Sequence, residues 1–375
     1  MKDRRKELTE RLAAIEKQLQ NLYGETYRAV LQIKAVREAI EKGEDFTWDD
    51  NKAASKQMEK QLSRLAESSV TLIQDGIKAA WDTGEARTSE TVKAKYSGVL
   101  KEEAAKISEQ ATAKQRKSGT DAHAFATREK GSMNLSRRVW NLTDCSRKEL
   151  ETIIQNGIIE GKSPHEVSRD LRKYLNNPEA LFRRVRNPKT GDLELSKAAK
   201  KYHPGQGVYR SAYKNARRLA VTEMNAAYRR AQWESYQTNP LVTAYEIRLS
   251  ANHTTTIKGK IVPLEDICDQ LAGRYPKTFL WTGWHPHCRC DMIPVLLTED
   301  DFKARIQARA KGKLGTWEKE YKKAHPDPTY PKGMTDWITD NADRIKKGEH
   351  LPEWVEDNRK AILLMSYAYK DSENL

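Results

Sequence analysis

Apolar residues recur at alternating steps of four and three along the N-terminal part of the chain. The first stripe consists of Leu8, Leu12, Ile15, Leu19, Leu22, Val30, Ile33 and Ile40. This spacing predicts an amphipathic helix that ends near Gly43, where the stretch FTWDD interrupts the pattern. A second stripe, from Met58 to Trp81, predicts another helix, and we expect the two to pack as an antiparallel pair. The polar stretch from about 84 to 135 is expected to hold helix followed by a linker.

The pattern changes at Ser136, after which helical periodicity alternates with turn signals. One helix is expected to end at Gly161, and the sequence SPHE at 163–166 forms a capping box that opens the next helix. The arginine-rich stretch that follows contains the turn signal Thr190-Gly191, which predicts a loop or a hairpin. A long helix is then predicted from about residue 211 to residue 236.

The predicted helix over 211–236 carries small residues that would let another backbone approach closely. They are Ala216, Ala220, Ala227 and Ala231, with Met224 in the same stripe. Glu223 points into this face, where a carboxylate needs a cationic or hydrogen-bonding partner. Two roles fit Glu223: a structural ion pair and a general base. We favour the structural role, because isolated glutamates more often serve in structural pairs.

Beyond Asn239-Pro240 the pattern becomes strand-like. VTAYEIRLS alternates imperfectly, as a half-buried strand does, and a second strand is predicted over 291–297. Four apolar anchors predict a helical tail that packs back on the body: Trp337, Ile345, Leu351 and Trp354. The predicted fold class is therefore α+β and mostly helical. Its regions are a helical region over 1–135, a basic helical region over 136–236, a small α+β Cys/His module over 237–297 and a helical tail over 298–375.

Composition adds a function class to this outline. No apolar stretch is long enough to span a bilayer, so no membrane contact is expected. The formal charge is +14, and residues 172–230 carry 15 Lys and Arg against four Asp and Glu. Such an imbalance favours a polyanionic partner, and double-stranded DNA bound through its phosphates without sequence specificity fits best. The candidate DNA-binding residues are Arg183, Arg184, Arg186, Lys200, Lys201, Arg217, Arg218, Arg229 and Arg230.

The stretch GWHPHCRC at residues 283–290 contains two histidines and two cysteines, which are potential metal ligands. Cys268, His285, Cys288 and Cys290 supply three sulfur atoms and one nitrogen, a set that suits a closed, structural tetrahedral Zn²⁺ site. His287 could replace His285. Two other interpretations stay open: a disulfide between Cys268 and one of the pair, or buried reduced thiols. A catalytic role is disfavoured, because four protein ligands leave no open position for a substrate.

Four stretches in a fixed order also carry a family resemblance. They are RSAYKNARRLAVTEMNAAYRRAQ, SANH, DICDQLAGRYP and GWHPHCRC. Together they resemble the phage Mu protein F-like family, minor head or head morphogenesis proteins of tailed bacteriophages, in the type found in phages of Bacteroidetes. The resemblance extends from about residue 136 to residue 297. Relatives often have a further cysteine after the Asn-His pair, where this chain has threonines at 254–256.

The resemblance implies a non-enzymatic virion component, made in the cytoplasm of the bacterial host and located in the capsid interior or at the portal vertex. Its expected partners are the portal protein, capsid proteins and packaged DNA. The N-terminal helices would serve portal contact or self-association, so an oligomer is compatible with the sequence. Two alternatives remain. One is a metal-dependent nuclease of the histidine type, in which Asn252-His253 is followed by the Cys/His cluster; it lacks a convincing acidic set of metal ligands, although Asp266 and Asp269 lie near Cys268 in the sequence. The other is a scaffolding protein that does not bind DNA.

Overall fold

The computed structural model of the chain describes residues 3–117, 119–176, 184–186, 193–195, 211–250, 253–257 and 260–372. The helices are α1 Arg4–Leu31, α2 Lys34–Lys42, α3 Lys52–Lys95, α4 Gly98–Lys117, α5 Ala122–Thr127, α6 Leu135–Ile159, α7 Pro164–Asn176, α8 Ala212–Thr238, α9 Ile267–Leu271, α10 Glu299–Ala310, α11 Leu314–Ala324, α12 Lys332–Asp340, α13 Ala342–Lys347, α14 Glu353–Asp357 and α15 Arg359–Ser372. The strands are β1 Arg184–Arg186, β2 Leu193–Leu195, β3 Val242–Arg248, β4 Thr254–Ile257, β5 Lys260–Pro263, β6 Gly273–Pro276 and β7 Asp291–Leu296. A helical content of 71% beside a small antiparallel sheet confirms the predicted mostly helical α+β class.

Two compact units make up the chain, and each is built from segments that are not consecutive in sequence. Unit 1 contains Met1–Leu8, Ile77–Phe125 and Thr222–Leu375, whereas unit 2 contains Thr9–Gly76 and Ala126–Val221. The four consecutive regions expected from the sequence, with boundaries at 135, 236 and 297, do not coincide with this division. Periodicity is a local property, so it identifies a helix without showing which distant segment its apolar face packs on.

The first predicted helix is divided in unit 2. Helix α1 ends at Leu31 and α2 begins at Lys34, with Gly43 closing α2 in the left-handed conformation (φ 69°). The division has a packing cause, because Val30, Leu31, Ile33 and Val36 are all buried. These four positions spread over more than half the circumference of a straight helix, at about 100° per residue. One continuous helix could not bury them all against a single surface.

The stretch FTWDD separates the helices as predicted, but it also belongs to the core of unit 2. Phe46 and Trp48 are buried, and their rings meet edge to face at 4.9 Å between centroids. The indole N–H of Trp48 donates to the carbonyl oxygen of Arg147 at 3.0 Å, which joins this stretch to α6. The capping box at Ser163 and Glu166 is also present and opens α7. The basic stretch after α7 contains the short antiparallel pair β1–β2, as the turn signals predicted.

The polar stretch after Trp81 is more ordered than expected. Helix α3 continues to Lys95, and α4 and α5 follow within the part that was expected to hold a linker. Val92, Tyr96 and Ile107 are buried in the hydrophobic core of unit 1. The other buried residues of α4 are alanine, serine and glutamine. Because these residues are small or polar, the hydrophobic pattern of the sequence does not reveal this buried face.

The larger sheet of unit 1 is three-stranded and antiparallel, in the order β6–β3–β7. Both predicted strands, β3 and β7, are present and pair with each other, whereas β6 and the separate hairpin β4–β5 were not predicted. The predicted tail anchors Ile345 and Trp354 are fully buried in the same core, and Trp337 and Leu351 pack against it partly exposed. The tail thus packs on unit 1 as expected.

Helix α8 lies within two residues of its predicted bounds and buries its whole stripe of small residues. A β-carbon added to Gly84 of α3 would collide with the backbone oxygen of Tyr228 and would touch Ala231. The close backbone approach that the stripe predicted is therefore present. Glu223 lies in this buried face with 1% of its surface exposed.

Candidate metal centre

The Cys/His residues singled out in the sequence come from two separate segments of unit 1. Cys268 lies in the first turn of α9, whereas His285, Cys288 and Cys290 lie in the turn between β6 and β7. The turn is closed by a hydrogen bond from the N–H of Cys288 to the carbonyl oxygen of His285 at 3.0 Å. The three thiols are each 1% exposed, and all are free.

The ligand atoms of these residues converge. The Sγ of Cys268 lies 3.0 Å from the Nε2 of His285 and 3.8 Å from the Sγ of Cys288. These three atoms all lie within 4.8 Å of one another. Cys290 is not one of these three residues, but its buried thiol interacts electrostatically with those of Cys268 and Cys288. His287, which could have replaced His285, does not belong to this group of converging atoms.

The separation of the Cys268 and Cys288 sulfur atoms fits a shared metal ion. Zinc–sulfur bonds of about 2.3 Å in a tetrahedron place two sulfur atoms about 3.8 Å apart, which is the separation of Cys268 and Cys288. A disulfide would require about 2.05 Å. The cluster formed by Cys268, His285, Cys288 and Cys290 could therefore hold a metal ion.

The orientation of His285 also suits a metal ligand. Its Nδ1 lies 2.7 Å from the carbonyl oxygen of Pro286, which can only accept, so Nδ1 carries the hydrogen. In the neutral ring the lone pair then lies on Nε2, the atom that faces Cys268. A backbone carbonyl that fixes the histidine tautomer in this way is a regular feature of metal sites.

The thiols are electrostatically unequal. Hydrogen bonds from Cys268 and Cys290, and then the positive charge of Arg229, hold the pKa of Cys288 well below its usual range. The hydrogen bonds that Cys268 donates to Cys288 and Cys290 raise its own pKa. Cys288 is therefore the thiol that ionises most readily, which makes it the first candidate ligand for a cation.

Arg229 has a different role from the one its charge suggested. It was a candidate DNA contact, but it is 2% exposed, and its guanidinium donates to the carbonyl oxygens of Thr282 (2.9 Å), Cys288 (2.5 Å) and Cys290 (3.0 Å). The guanidinium also lies over the ring of Trp281, 4.8 Å from its centroid. The assignment of Arg229 to DNA is thus wrong. Sequence charge alone could not show this, because a basic residue carries the same formal charge whether it is exposed or buried.

A glycine makes room for this arginine. Gly283 has φ 139°, and a β-carbon there would lie 2.9 Å from an Nη1 of Arg229 and 3.4 Å from the β-carbon of Cys288. Both the backbone conformation and the space therefore require glycine at this position. The first residue of the GWHPHCRC stretch is explained by the approach of Arg229.

A second group of polar side chains lies beside the thiols. The Nε2 of His253 is 3.1 Å from an oxygen of Asp269 and 3.5 Å from Oδ1 of Asp266. The other oxygen of Asp266, Oδ2, lies 3.3 Å from the Nε2 of His285. Asp266 and Asp269 also form the capping box of α9, and the hydrogen bond from the N–H of Asp266 lowers the pKa of Asp269. The pattern Asp-x-x-Asp at the start of a short helix was the sequence signal for this arrangement.

The other predicted DNA-binding residues are placed as follows. Arg217 pairs with Glu16 at 2.8 Å, and Arg230 pairs with Glu234 at 2.7 Å while it covers the ring of Trp233. Arg218 is half-buried. The backbone of Arg184 and Arg186 forms β1, and their side chains lie outside the described atoms. Arg183, Lys200 and Lys201 lie outside the described residues.

Comparison with models of protein families, with characterised proteins and with solved structures finds no match for this chain. Among the described residues, no helix combines the length and the apolar character that are needed to cross a bilayer. The function must therefore be argued from the site itself and from the resemblance.

Proposed function

We propose that this chain is a non-enzymatic minor head protein of a tailed bacteriophage, acting in head morphogenesis and in DNA packaging or delivery at the portal vertex. One observation carries the proposal. The four stretches that resemble the phage Mu protein F-like family are separated in sequence, yet each contributes a residue to one place in unit 1: Arg229, His253, Cys268 and Cys288. Motifs that meet in this way act as one module, which is the expectation if the resemblance reflects a shared fold.

The chemistry of that module supports a structural role. All three thiols are buried, so a zinc ion bound by Cys268, His285, Cys288 and Cys290 would have protein ligands in every position of a tetrahedron. Such a closed ion offers no coordination position to a substrate. It would instead join α9 to the turn before β7, and this proposed zinc is the cofactor of the protein.

The proposed DNA contact depends on the basic stretch between α7 and α8. With Arg229 buried and Arg217 and Arg230 paired to carboxylates, the remaining candidates are Arg183, Arg184, Arg186, Lys200, Lys201 and the half-buried Arg218. Contact of these residues with phosphates would be independent of sequence and would release counterions.

The test is a binding titration of the full chain with double-stranded DNA at several salt concentrations. We expect log affinity to fall linearly with log salt, and the triple variant Arg183→Ala, Arg184→Ala, Arg186→Ala to reduce the slope by about 3. The control removes the same charge from the exposed residues Lys311, Lys319 and Lys323 and should leave the slope unchanged. Absence of binding at low salt would favour the scaffolding alternative, in which the basic stretch binds a capsid protein.

The virion role has its own test. The full chain, co-expressed with the portal protein of the same phage, should co-purify with it, and the Cys288→Ser variant should retain the association if the contact surface lies away from the metal centre. Failure of the wild-type chain to associate with the portal protein or the capsid proteins would contradict the proposed place in the virion.

A metal-dependent nuclease is the second candidate, and the convergence of His253 with Asp266 and Asp269 favours it. The experiment is incubation of the chain with plasmid DNA and Mg²⁺ or Mn²⁺. Our proposal predicts intact plasmid. Cleavage that disappears in a His253→Ala variant would establish the nuclease and contradict the non-enzymatic role.

A further inference from the structure

His253, Asp266 and Asp269 form a cluster whose chemistry differs from that of the neighbouring thiols. One nitrogen and two carboxylate oxygens of these residues lie within 4.8 Å of one another. Their side chains are 12%, 24% and 34% exposed, so the cluster is open to solvent on one side. The thiols beside it are buried. The two groups therefore differ both in the type of ligand atom and in exposure to solvent.

The fold holds the three side chains in place before any ligand arrives. The carbonyl oxygen of His253 accepts the N–H of Leu264 at 3.1 Å, so the start of the β4–β5 hairpin lies next to the segment that leads into α9. An oxygen of Asp266 accepts the N–H of Cys268 at 2.7 Å, and an oxygen of Asp269 accepts the N–H of Asp266 at 2.8 Å. Side chains fixed in this way lose little further freedom when they bind.

Among the described residues, the ion-pair partners of Asp266 and Asp269 are histidines only. Within the described part of the chain, neither Asp266 nor Asp269 forms an ion pair with a lysine or an arginine. The Nε2 of His253 carries at most one hydrogen and faces both carboxylates, so it can donate to only one of them. Besides the backbone N–H groups of Cys268 and Asp266, the two carboxylates therefore share the single Nε2 hydrogen of His253.

His285 donates no hydrogen bond to Asp266 when its ring is neutral and oriented as a metal ligand. Its Nδ1 hydrogen is donated to Pro286, so the Nε2 of the neutral ring presents a lone pair to Oδ2 of Asp266 at 3.3 Å. Two acceptors at this separation repel each other unless a cation lies close to them. Asp266 thus lies between the two groups: its Oδ1 faces His253 and its Oδ2 faces His285.

We propose that His253, Asp266 and Asp269 form a second divalent-cation site, adjacent to the thiol cluster and facing solvent. One imidazole nitrogen and carboxylate oxygens suit a first-row ion such as Mn²⁺, with water in the remaining positions. Sulfur ligands instead select zinc, so the two sites differ in metal preference. This inference does not depend on the proposed virion role.

The experiment titrates the full chain with MnCl₂ after its zinc content has been measured, and it follows free Mn²⁺ by electron paramagnetic resonance. We expect saturable binding of one Mn²⁺ per chain. Asp269→Asn keeps an oxygen that can accept the N–H of Asp266 but removes the charge, and it should weaken Mn²⁺ binding by at least about tenfold. His253→Gln should weaken it similarly.

Glu265→Gln is the matched control, because Glu265 is an exposed neighbour outside the cluster. It should bind Mn²⁺ as the wild-type chain does. An unchanged zinc content in Asp269→Asn shows that the thiol cluster is intact, so loss of Mn²⁺ binding is separable from misfolding and from failure of the zinc proposal. No saturable Mn²⁺ binding by the wild-type chain, or equal weakening in Glu265→Gln and Asp269→Asn, would overturn the second site and leave an ion-pair network only.

Discussion

The Nη2 of Arg229 donates a hydrogen bond to the carbonyl oxygen of Cys288 at 2.5 Å. A buried guanidinium is costly unless its donors are used and its charge is compensated. Arg229 meets most of the first condition, because Nη1 and Nη2 donate to three carbonyl oxygens of the metal-centre turn, and Nε is the buried donor without a partner among the described residues. Zinc bound to three thiolates and a neutral imidazole carries one net negative charge, which would meet the second. The arginine and the proposed ion therefore stabilise each other.

This relationship predicts a strong effect of Arg229→Lys. Lysine keeps the positive charge but lacks the planar guanidinium group that reaches all three carbonyl oxygens. Some of these buried oxygens would therefore lose their hydrogen-bond donors. We expect the free energy of unfolding to fall by about 3 kcal/mol and the zinc affinity to fall by about tenfold or more. Urea unfolding followed by tryptophan fluorescence, together with zinc competition by a chelator, measures both quantities.

The neighbouring Arg230 supplies the control for this prediction. Arg230 pairs with Glu234 and is 28% exposed, so Arg230→Lys should change the free energy of unfolding by no more than about 1 kcal/mol. Equal effects of the two substitutions would show that the hydrogen bonds of Arg229 do not organise the turn.

Glu149 predicts a pH dependence for unit 2. Burial raises its pKa from 4.5 to about 7, although the N–H of Ala212 and the hydroxyl of Tyr27 both donate to it at 3.0 Å. The folded-state pKa of Glu149 lies above the unfolded value, so the folded protein is favoured while this carboxyl group is protonated. This contribution to the free energy of unfolding is fully present below pH 4.5 and is lost as the pH rises through about 7. The total change is about 3 kcal/mol.

The measurement compares wild type with Glu149→Gln, which resembles the protonated acid. Between pH 5 and pH 8 the free energy of unfolding of the wild type should decrease relative to that of the variant, because only the wild type must ionise a buried carboxyl group. Parallel pH profiles for the two proteins would show that Glu149 does not titrate in this range.

Glu223 is another buried glutamate whose role can be tested by substitution. Its position in the face of small residues on α8 leaves it 1% exposed. Glu223→Gln preserves hydrogen bonding and should cost only about 1 kcal/mol. Glu223→Leu removes every polar contact and should cost about 3 kcal/mol, because it leaves the partner group buried without a counterpart. If both variants unfold like the wild type, the side chain contributes nothing to stability.

Much of this architecture could be predicted from local patterns. The capping box at Ser163, the helix over 212–238 and the strands β3 and β7 all follow from spacings within a few residues. The convergence of Cys268 with the GWHPHCRC turn was also expected, because the residue types themselves indicated a shared ligand.

Other features depend on contacts between distant segments, which no local pattern contains. Arg229 was expected on the surface because arginine usually is, and only the carbonyl oxygens of residues more than 50 positions away explain its burial. The same limit explains why the contact between His253 and Asp266 was not predicted. The β4–β5 hairpin lies between them in sequence, and its strands of four residues each are too short to show a clear strand pattern.

The zinc content of the chain tests the central claim most directly. Protein made without an affinity tag should contain about one zinc per chain, and Cys288→Ser should lose the zinc and melt several degrees lower. Cys145→Ser changes a cysteine of unit 2 outside the cluster and should retain both the zinc and the melting temperature. Metal-free wild-type protein whose melting is unchanged by Cys288→Ser would contradict the metal centre and leave the GWHPHCRC stretch as a structural turn held by hydrogen bonds.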